Sequence, residues 1–306
     1  MIKRTLYFGS PAYLSLRNGQ LTIKKPDDGD LLPDDLSLVV KTIPIEDVGV
    51  VILDNKQLTV TSSLLSELLA NNVAVITCDD RSMPAGLLLP LDSNSVQSER
   101  FQEQLEASLP LKKQLWQQTV EAKIRNQAAV LKYVTGEDAR NMLAWAGSVK
   151  SGDSENMEAR AAAFYWKGVF PEIEFFTRDR FGPAPNNLLN YGYAILRAVI
   201  ARSIVGSGLL PTIGIHHHNR YNAYCLADDI MEPYRPFVDQ LVVDIVAKNP
   251  CPQLTKEIKA ELLSIPVLDV LIDGHRSPLM IAATTTTASL YKCFSGVSRK
   301  ILYPVL

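Results

Sequence analysis

Three separated segments of the chain carry side chains that are suited to binding a divalent metal ion. Glu158 lies in SENMEARAAAFYW, three consecutive histidines occupy positions 216 to 218, and Asp229 and Glu232 lie in LADDIMEPYRP. Imidazole together with carboxylate oxygens suits manganese or magnesium, whereas the lack of paired cysteines in the sequence argues against structural zinc. The combination predicts a metal-dependent enzyme that acts on phosphodiesters.

The spacing within two of these segments favours such a site. In a helix, Glu158, Ala162 and Tyr165 would share one face, which leaves a poorly solvated carboxylate beside a phenol. Asp228 lies four residues and Asp229 three residues before the glutamate of the last segment, so one helical turn would cluster three acids. Clustered negative charge is costly without a cation, so this pattern also indicates a metal.

Each residue also has a purely structural interpretation. Glu158 could be a solvated helix residue, and the histidines could form an exposed polar loop. Asp228 and Asp229 could complement the positive end of a helix, and Glu232 could pair with Arg235 on its surface. The residue types alone leave these alternatives open.

The elements that must position these groups fall into two regions. Up to about residue 91, short runs of alternating apolar residues predict hairpins in a small sheet domain; examples are TLYF, LSLR, QLTI, VGVVIL and QLTV. A short helix is predicted in SSLLSELLANN, and a buried strand follows it in VAVITC. Turn signals between the runs are Asn18, Gly19, Gly29, Asp54 and Asn55.

The composition changes in LDSNSVQSER, so residues 92–98 are expected to form a linker that ends by capping a helix. The pattern beyond it predicts a mostly α-helical domain over 99–306, in which Pro110 begins or interrupts a helix. The sequence therefore predicts an α+β chain with a β-rich N-terminal domain over 1–91. Four threonines at 284 to 287 suggest a loop or strand. Further helices are expected at 137–147, 153–168, 187–206, 234–248 and 254–265.

The overall composition is that of a chain with a sizeable core. Of its 306 residues, 47% are hydrophobic and 21% are charged, which suits two domains. The N-terminus lacks a hydrophobic signal segment, and no apolar run approaches the roughly 20 residues that span a bilayer. We therefore expect a cytoplasmic protein without a membrane partner. Its cysteines are expected to be thiols: Cys78, Cys225, Cys251 and Cys293.

Basic side chains near these segments are the candidates for binding DNA, although the formal net charge is −2. Arg178, Arg180 and Arg220 lie near the acid and histidine segments. Lys123 and Arg125 lie in one expected helix, where a solvated helix face explains them equally well. Only a spatial arrangement that brings such groups to the site would make them phosphate contacts.

Longer motifs resemble those of a known family. The segments GDSENMEARAAAFYW, NNLLNYGYAILRAVIARSIVGSGLLPTI and GIHHHNRYNAYCLADDIMEPYRPFVDQLV are similar, in order, to the CRISPR adaptation integrases of the Cas-one family in its type II form. The runs RTLYFGSPAYLSLRNGQLTI, IPIEDVGVVILDNKQLTVTSSLLSELLANNVAVITCDD and MPAGLLLPL resemble the strand-rich domain of that family. The resemblance covers nearly the whole chain.

The family's metal site is a glutamate, a histidine and a downstream acid, and the resemblance assigns these to Glu158, His217 and Glu232. Ala159 replaces the glycine that usually follows the glutamate. His217 is preferred over its neighbours because the family's spacing then reaches Glu232. Asp229 matches the accessory acid of the same element. Further accessory candidates are His216, which would bind metal in another register, Tyr165 packing beside the site, Asn222 contacting DNA, and Arg235 orienting an acid or holding phosphate.

The resemblance implies a reaction and a set of partners. It implies a magnesium- or manganese-dependent endonuclease and integrase that joins 3′-hydroxyl ends of short DNA fragments to a CRISPR repeat by transesterification. The partners implied are double-stranded DNA, a second copy of the chain bound through the sheet domain, the small Cas-two adaptation protein and other type II CRISPR proteins. There are two alternatives: a general DNA-repair nuclease, which would use the same ligands, and a non-catalytic DNA-binding scaffold, which would not require them.

Overall fold

The computed structural model describes residues 3–25, 39–249 and 253–306. The chain divides into two compact units, Met1–Ser93 and Asn94–Leu306. Strands dominate the first unit and helices dominate the second, so the predicted α+β class is confirmed. Gly29 and Cys251 lie outside the described residues. Cys78, Cys225 and Cys293 are free thiols, as predicted.

Two four-stranded sheets and one helix make up the described part of the first unit. One sheet has the strand order β1-β5-β7-β8 and the other has the order β4-β3-β2-β6. Helix α1 spans Ser62–Ala70, and Thr61 caps it by accepting a hydrogen bond from the backbone N–H of Leu64. The strands are β1 (Arg4–Phe8), β2 (Ala12–Arg17), β3 (Gln20–Lys24), β4 (Val39–Pro44), β5 (Val48–Leu53), β6 (Leu58–Val60), β7 (Ala74–Cys78) and β8 (Pro84–Leu88).

The expectation of hairpins holds for some of these strands only. The β2 and β3 strands pair antiparallel across the turn at Asn18 and Gly19, whose φ angles are both positive. In contrast, β1 pairs with β5, β5 with β7, and β2 with β6 in parallel. The alternation of apolar residues marks strands but does not distinguish a hairpin from a crossover, which is why the prediction was partly wrong.

Apolar side chains from both sheets form the core of this unit. Leu14, Leu21 and Val48 are fully buried, and Leu64 of α1 packs in the same cluster. The VAVITC run forms the buried strand β7, as predicted, with Val75 and Ile76 almost completely excluded from solvent. Burial of such aliphatic side chains supplies the main stabilisation of a small domain.

The second unit is built largely of helices. They are α2 (Gln97–Glu106), α3 (Leu109–Thr135), α4 (Arg140–Ser148), α5 (Met157–Gly168), α6 (Asn186–Gly206), α7 (Cys225–Met231), α8 (Arg235–Lys248), α9 (Lys256–Leu262) and α10 (Leu279–Phe294). A two-stranded antiparallel hairpin, β9 (Asp269–Ile272) with β10 (His275–Pro278), precedes α10. The helices expected from the sequence are thus confirmed, with ends that differ by a few residues.

Local sequence explains where the long helix α3 begins and ends. Ser108 caps it by accepting a hydrogen bond from Leu111, Pro110 lies in its first turn, and Gly136 ends it in a left-handed conformation. Pro110 therefore begins the helix. Helix α2 begins at Gln97, so the segment expected to be a linker is helical in its last two residues.

The threonine run at 284 to 287 lies inside α10, so the expected loop or strand is wrong. Thr286 donates a hydrogen bond to the carbonyl of Leu302, and Thr287 donates one to the carbonyl of Ser203. Because tertiary partners satisfy these hydroxyls, packing overrides the weak helix propensity of threonine.

Helix α6 runs through the core of the second unit. By length and hydropathy it is the one described helix that could cross a membrane, but 78% of the relevant window is buried inside the fold. Burial of that extent is typical of the central helix of a water-soluble unit.

Candidate active site

Two acids from separate segments meet at one lysine. Glu158 lies in the first turn of α5, and Glu232 begins the short 3-10 turn between α7 and α8. Lys123, in the middle of α3, places its Nζ 2.6 Å from Glu158 Oε1 and 2.6 Å from Glu232 Oε2. The two carboxylate oxygens therefore cannot lie farther apart than twice that distance. Residues that are far apart in the sequence thus share one cation.

The charges in this cluster hold each other ionised. Burial acts to raise the pKa of Glu232, but Arg235 and Lys123 outweigh it and lower that pKa. Burial acts to lower the pKa of Lys123, but Glu232 and Glu158 outweigh it and raise that pKa. Opposite charges at short range favour the charged forms of both partners. Lys123 is therefore an ammonium and Glu232 a carboxylate at neutral pH.

The two oxygens of Glu232 have different partners. Oε1 forms an ion pair with Arg235 at 3.0 Å, and Oε2 lies 2.6 Å from Lys123 Nζ. Both oxygens of this buried carboxylate are thus paired with a positive charge, which offsets the cost of burying it.

Asp229 fixes the backbone that carries the histidines. Its side chain is fully buried, and its two oxygens accept hydrogen bonds from the backbone N–H groups of Ile215, His216 and His217, at 2.8, 2.9 and 3.2 Å. A Cβ at Gly214 would lie 2.4 Å from the carbonyl oxygen of His217, so only glycine fits there. This buried carboxylate therefore holds the backbone of the histidine segment in place.

Asp229 also orients the ring of His217. The distance from His217 Nδ1 to Asp229 Oδ1 is 2.5 Å. This hydrogen bond raises the pKa of His217, partial burial opposes it, and the charges of Asp229, Glu232 and Glu158 add to it. With Nδ1 committed to a carboxylate, the Nε2 lone pair of the neutral ring is free for a metal, the arrangement found for ligating histidines in general.

The neighbouring histidines differ from His217. The ring of His216 stacks on the indole of the buried Trp116, with centroids 4.1 Å apart and planes nearly parallel. Trp116 also contacts the ring of His217 edge-on at 5.5 Å. His218 is exposed. The three histidines thus have distinct positions, and the ring of His217 is the one that hydrogen-bonds to Asp229.

A second acid anchors the far end of the histidine loop. Arg197 of α6 donates to both oxygens of Asp228, at 2.6 and 3.0 Å, and Asn222 Nδ2 donates to Asp228 Oδ2 at 2.7 Å. Asn222 Oδ1 accepts from the backbone of Tyr224. The side chain of Asn222, expected to contact DNA, is therefore used within the loop.

Tyr165 lies on the same helix as Glu158 but serves a different group. Its hydroxyl donates to Asp239 Oδ2 at 2.8 Å, and the hydroxyl of Tyr193 donates to the other oxygen of this carboxylate. All three side chains are buried, and burial raises the pKa of Asp239 to about 6. The network joins α5, α6 and α8 behind the acid cluster.

The basic residues expected to contact DNA have varied surroundings. Arg178 is hydrogen-bonded to Asn186 and Asn190. Arg180 and Arg220 are exposed, and their guanidinium groups lie over Phe181 and Tyr221 respectively. The side chain of Arg125 is half-exposed and pairs with Glu121 in the same helix.

For Lys123, the expected position on a solvated helix face is wrong. It is buried inside the acid cluster, and is therefore not a lysine of a solvated helix face. Val120 and Ile124, two apolar neighbours on the same face of α3, are fully buried. Apolar residues at this spacing are the sequence feature that predicts an inward-facing side of the helix. Trp116 and Arg197 were also missed, because a stacking indole or a bidentate arginine partner has no pattern in the sequence.

Among the described residues, no three histidine, cysteine or acidic side chains are gathered closely enough to hold an ion as they stand. The reason is visible in the geometry, since the ammonium of Lys123 lies between the two glutamates. The donor set of two carboxylates and one oriented imidazole is nevertheless of a kind that binds divalent metal ions. The helical unit and this cluster define a class of enzyme that acts on phosphodiesters.

The comparisons with known proteins identify the family. The family model described as "CRISPR associated protein Cas1" matches residues 6–261. A CRISPR-associated endonuclease Cas1 from Neisseria meningitidis is 38% identical over 98% of this chain and 94% of its own length. The chain therefore belongs to the Cas1 family of CRISPR-associated endonucleases, as the motifs predicted.

Solved structures share the fold. A casposase bound to an integration product matches with a TM-score of 0.78 and 21% identity, over 98% of this chain and 92% of that one. A chain of a Cas6-RT-Cas1–Cas2 complex matches with a TM-score of 0.74 and 18% identity, over 97% of this chain and 35% of that one. At such identities the likeness concerns the fold alone.

Proposed function

We propose that this Cas1 protein joins the 3′-hydroxyl ends of short DNA fragments to a CRISPR repeat by transesterification, with Glu158, His217 and Glu232 as its metal ligands. The observation that carries this proposal is the convergence of Glu158 and Glu232 on a single cation position, beside a histidine whose ring is oriented by a buried carboxylate. Separated ligands brought together in this way are expected of a catalytic metal site rather than of a scaffold.

The residues present fit a divalent metal such as magnesium or manganese. Two carboxylates and one imidazole leave further coordination positions for oxygen ligands, as these ions require. Glu232 Oε2 is buried and faces the position that the Lys123 ammonium occupies, which is where such an ion would bind. When bound, the ion would neutralise charge on a phosphodiester and polarise it for displacement.

The side chains of the protein perform the positioning. Asp229 holds His217 through its Nδ1, and Arg235 holds Glu232 through its Oε1, so both ligands keep one orientation. The side chain of Arg235 is 30% exposed, which leaves part of its guanidinium group for contact with a phosphate oxygen. A DNA 3′-hydroxyl as the attacking group gives joining, and water gives cleavage.

The substrate and partners follow from the family. We propose double-stranded DNA as the substrate, with exposed Arg180 and Arg220 contacting its phosphates. Cas2 is proposed as the protein partner, since the name of one structural neighbour includes it. A second copy of the chain, bound through the first unit, and other type II CRISPR proteins complete the assembly, which is placed in the cytoplasm.

Strand transfer tests this function directly. A short duplex with free 3′-hydroxyl ends is incubated with a supercoiled plasmid that carries a CRISPR repeat, together with Cas2 and either Mn²⁺ or Mg²⁺. We expect metal-dependent joining by the wild type, loss of joining in His217→Ala, and joining close to wild type in His218→Ala, because His218 is exposed and is not tied to Asp229.

The outcomes separate the alternatives. Plasmid cleavage without joined product would favour a general repair nuclease. Tight DNA binding without any reaction would favour a scaffold. Equal loss of joining in both histidine variants would remove the assignment of His217 as the ligand.

A further inference from the structure

The imidazole ring of His216 is held firmly from below. It lies parallel to the indole of Trp116, with centroids 4.1 Å apart, and that indole is almost completely buried in α3. The backbone N–H of His216 donates to Asp229 Oδ2 at 2.9 Å, so the chain that carries the ring is fixed as well. His216 is nevertheless exposed. A rigid aromatic ring is therefore presented at the surface of the candidate site.

The ring of His217 lies beside this stack and does not cover it. Its centroid is 5.5 Å from that of Trp116 and 5.1 Å from that of His216, and its plane is nearly perpendicular to both. A ring on top of the stack would be much farther from Trp116 than from His216, because the two stacked centroids are themselves 4.1 Å apart. The outer face of His216 is therefore left open next to the imidazole assigned to the metal.

The ring of His216 lacks the support that orients a metal-binding imidazole. In His217, Nδ1 is committed to the carboxylate of Asp229. No described residue hydrogen-bonds to the ring of His216, which is supported instead by the face of an indole. Metal-ligating histidines usually donate their other ring N–H to a carboxylate or a carbonyl group. The surroundings of His216 are thus those of a stacking ring rather than those of a ligand.

We propose that the outer face of His216 stacks on an unpaired nucleobase of the bound DNA, beside the phosphodiester that reacts. This inference rests on the DNA substrate and the metal site proposed above. A nucleotide whose phosphate lies at the metal carries its base only one deoxyribose away, within reach of a ring adjacent to His217. Unpaired bases stack on aromatic side chains, histidine included. Because every base has a π face, this contact positions DNA without reading its sequence.

Two nucleotides can supply the base. One is the nucleotide at the 3′ end of the joined fragment, and the other is the repeat nucleotide beside the attacked phosphate. Both present the same chemistry to His216. An abasic nucleotide placed at either position removes the stacking partner and keeps the sugar and phosphate, so it shows which of the two is bound.

A double-mutant cycle between protein and DNA tests the contact. Each DNA, intact or abasic, is titrated with the full chain in the presence of Mn²⁺ and without the other DNA, so that no joining occurs, and binding is followed by fluorescence anisotropy. In the wild type, removal of the base should weaken binding by about tenfold, within the range for one stacked base. His216→Ala should bind the intact DNA about tenfold more weakly than the wild type, and removal of the base should then cause no further loss.

The choice of variants separates stacking from metal binding. His216→Phe keeps an aromatic face on Trp116 but has no nitrogen for a metal. It should therefore restore most of the affinity lost in His216→Ala, and isothermal titration should give the wild-type affinity for Mn²⁺. His218→Ala is the matched control, because His218 is an exposed histidine next in the chain and should keep both the affinity for DNA and the sensitivity to the missing base.

The results also distinguish this inference from the proposed function. Base removal that weakens binding equally in the wild type and in His216→Ala would overturn the stacking contact, and so would the absence of any effect in the wild type at both positions. Loss of Mn²⁺ binding in His216→Phe would make His216 a ligand and overturn it as well. The wild-type measurements need no variant, so they decide even if His216→Ala does not fold. A coupled cycle in a protein that joins no DNA would remove the joining reaction and leave the stacking contact.

Discussion

Replacing Asp229 by asparagine should damage the site more than any comparably small change. The carboxylate accepts hydrogen bonds from three backbone N–H groups and approaches Nδ1 of His217, and it is fully buried. Asparagine has nearly the same shape but replaces one accepting oxygen by an NH₂ group. With the NH₂ group in place of Oδ2, the backbone N–H groups of Ile215 and His216 both meet a donor. In place of Oδ1, the backbone N–H of His217 meets a donor and the ring must change tautomer so that Nδ1 accepts.

The magnitude follows from the donors left unpaired. A buried donor without a partner costs about 1 to 3 kcal/mol, so the one or two such donors of Asp229→Asn should lower its free energy of unfolding by about 2 kcal/mol. Because the ring of His217 is no longer held, metal affinity or joining activity should fall by about 10- to 100-fold, the usual effect of losing a group that orients a ligand.

Urea unfolding of the metal-free protein measures the first effect, and Mn²⁺ titration measures the second. Asp269→Asn is the matched control, because its carboxylate is 57% exposed and pairs with Arg276 at the surface; its stability should change by less than about 0.5 kcal/mol. If Asp229→Asn unfolds at the wild-type urea concentration and binds Mn²⁺ normally, Asp229 does not organise the histidine segment.

Three further predictions concern the surroundings of the site. In Asn126→Ala, the carbonyls of Pro233 and Pro304 lose a buried donor, so urea titration should show a loss of about 2 kcal/mol. In Gly214→Ala, the new Cβ would lie 2.8 Å from Asp229 Oδ2 and would also meet the carbonyl of His217, so the free energy of unfolding should fall by about 2 kcal/mol. Gly147→Ala is the control, because open space surrounds its Cβ, and thermal unfolding should show unchanged or higher stability. Burial raises the pKa of Asp239 to about 6, above its unfolded value. The folded state therefore binds more protons between about pH 4 and 6, and its stability falls as the pH rises through that window. Urea unfolding at several pH values should show no such decline in Asp239→Asn, and an identical decline in both proteins would refute the assignment.

The sequence predicted most elements of the fold because those elements follow local rules. The helix that carries Glu158 and the strands of the first unit were recognisable from the period of their apolar residues. The family motifs supplied the choice among the three histidines, which composition could not make.

What the sequence did not predict depends on contacts between distant residues. Lys123 and Lys132 lie in the same helix and have the same side chain, yet one is enclosed by two acids and the other faces solvent. The threonines of α10 form a helix because partners on other segments accept their hydroxyl hydrogens. Neither fact can be obtained from a window of neighbouring residues, since the deciding partner is more than ten residues away.

The two adjacent aspartates that hold the histidine loop have a consequence for how this enzyme can diversify. Asp229 fixes the start of the loop at His217, and Asp228 fixes its end at Asn222. The exposed residues between these anchors, 218 to 221, include the paired side chains of Arg220 and Tyr221. Because both ends are clamped independently, Arg220 and Tyr221 can be substituted without moving the ring of His217, so natural variation or protein engineering can change the exposed surface of this loop while its anchors stay in place.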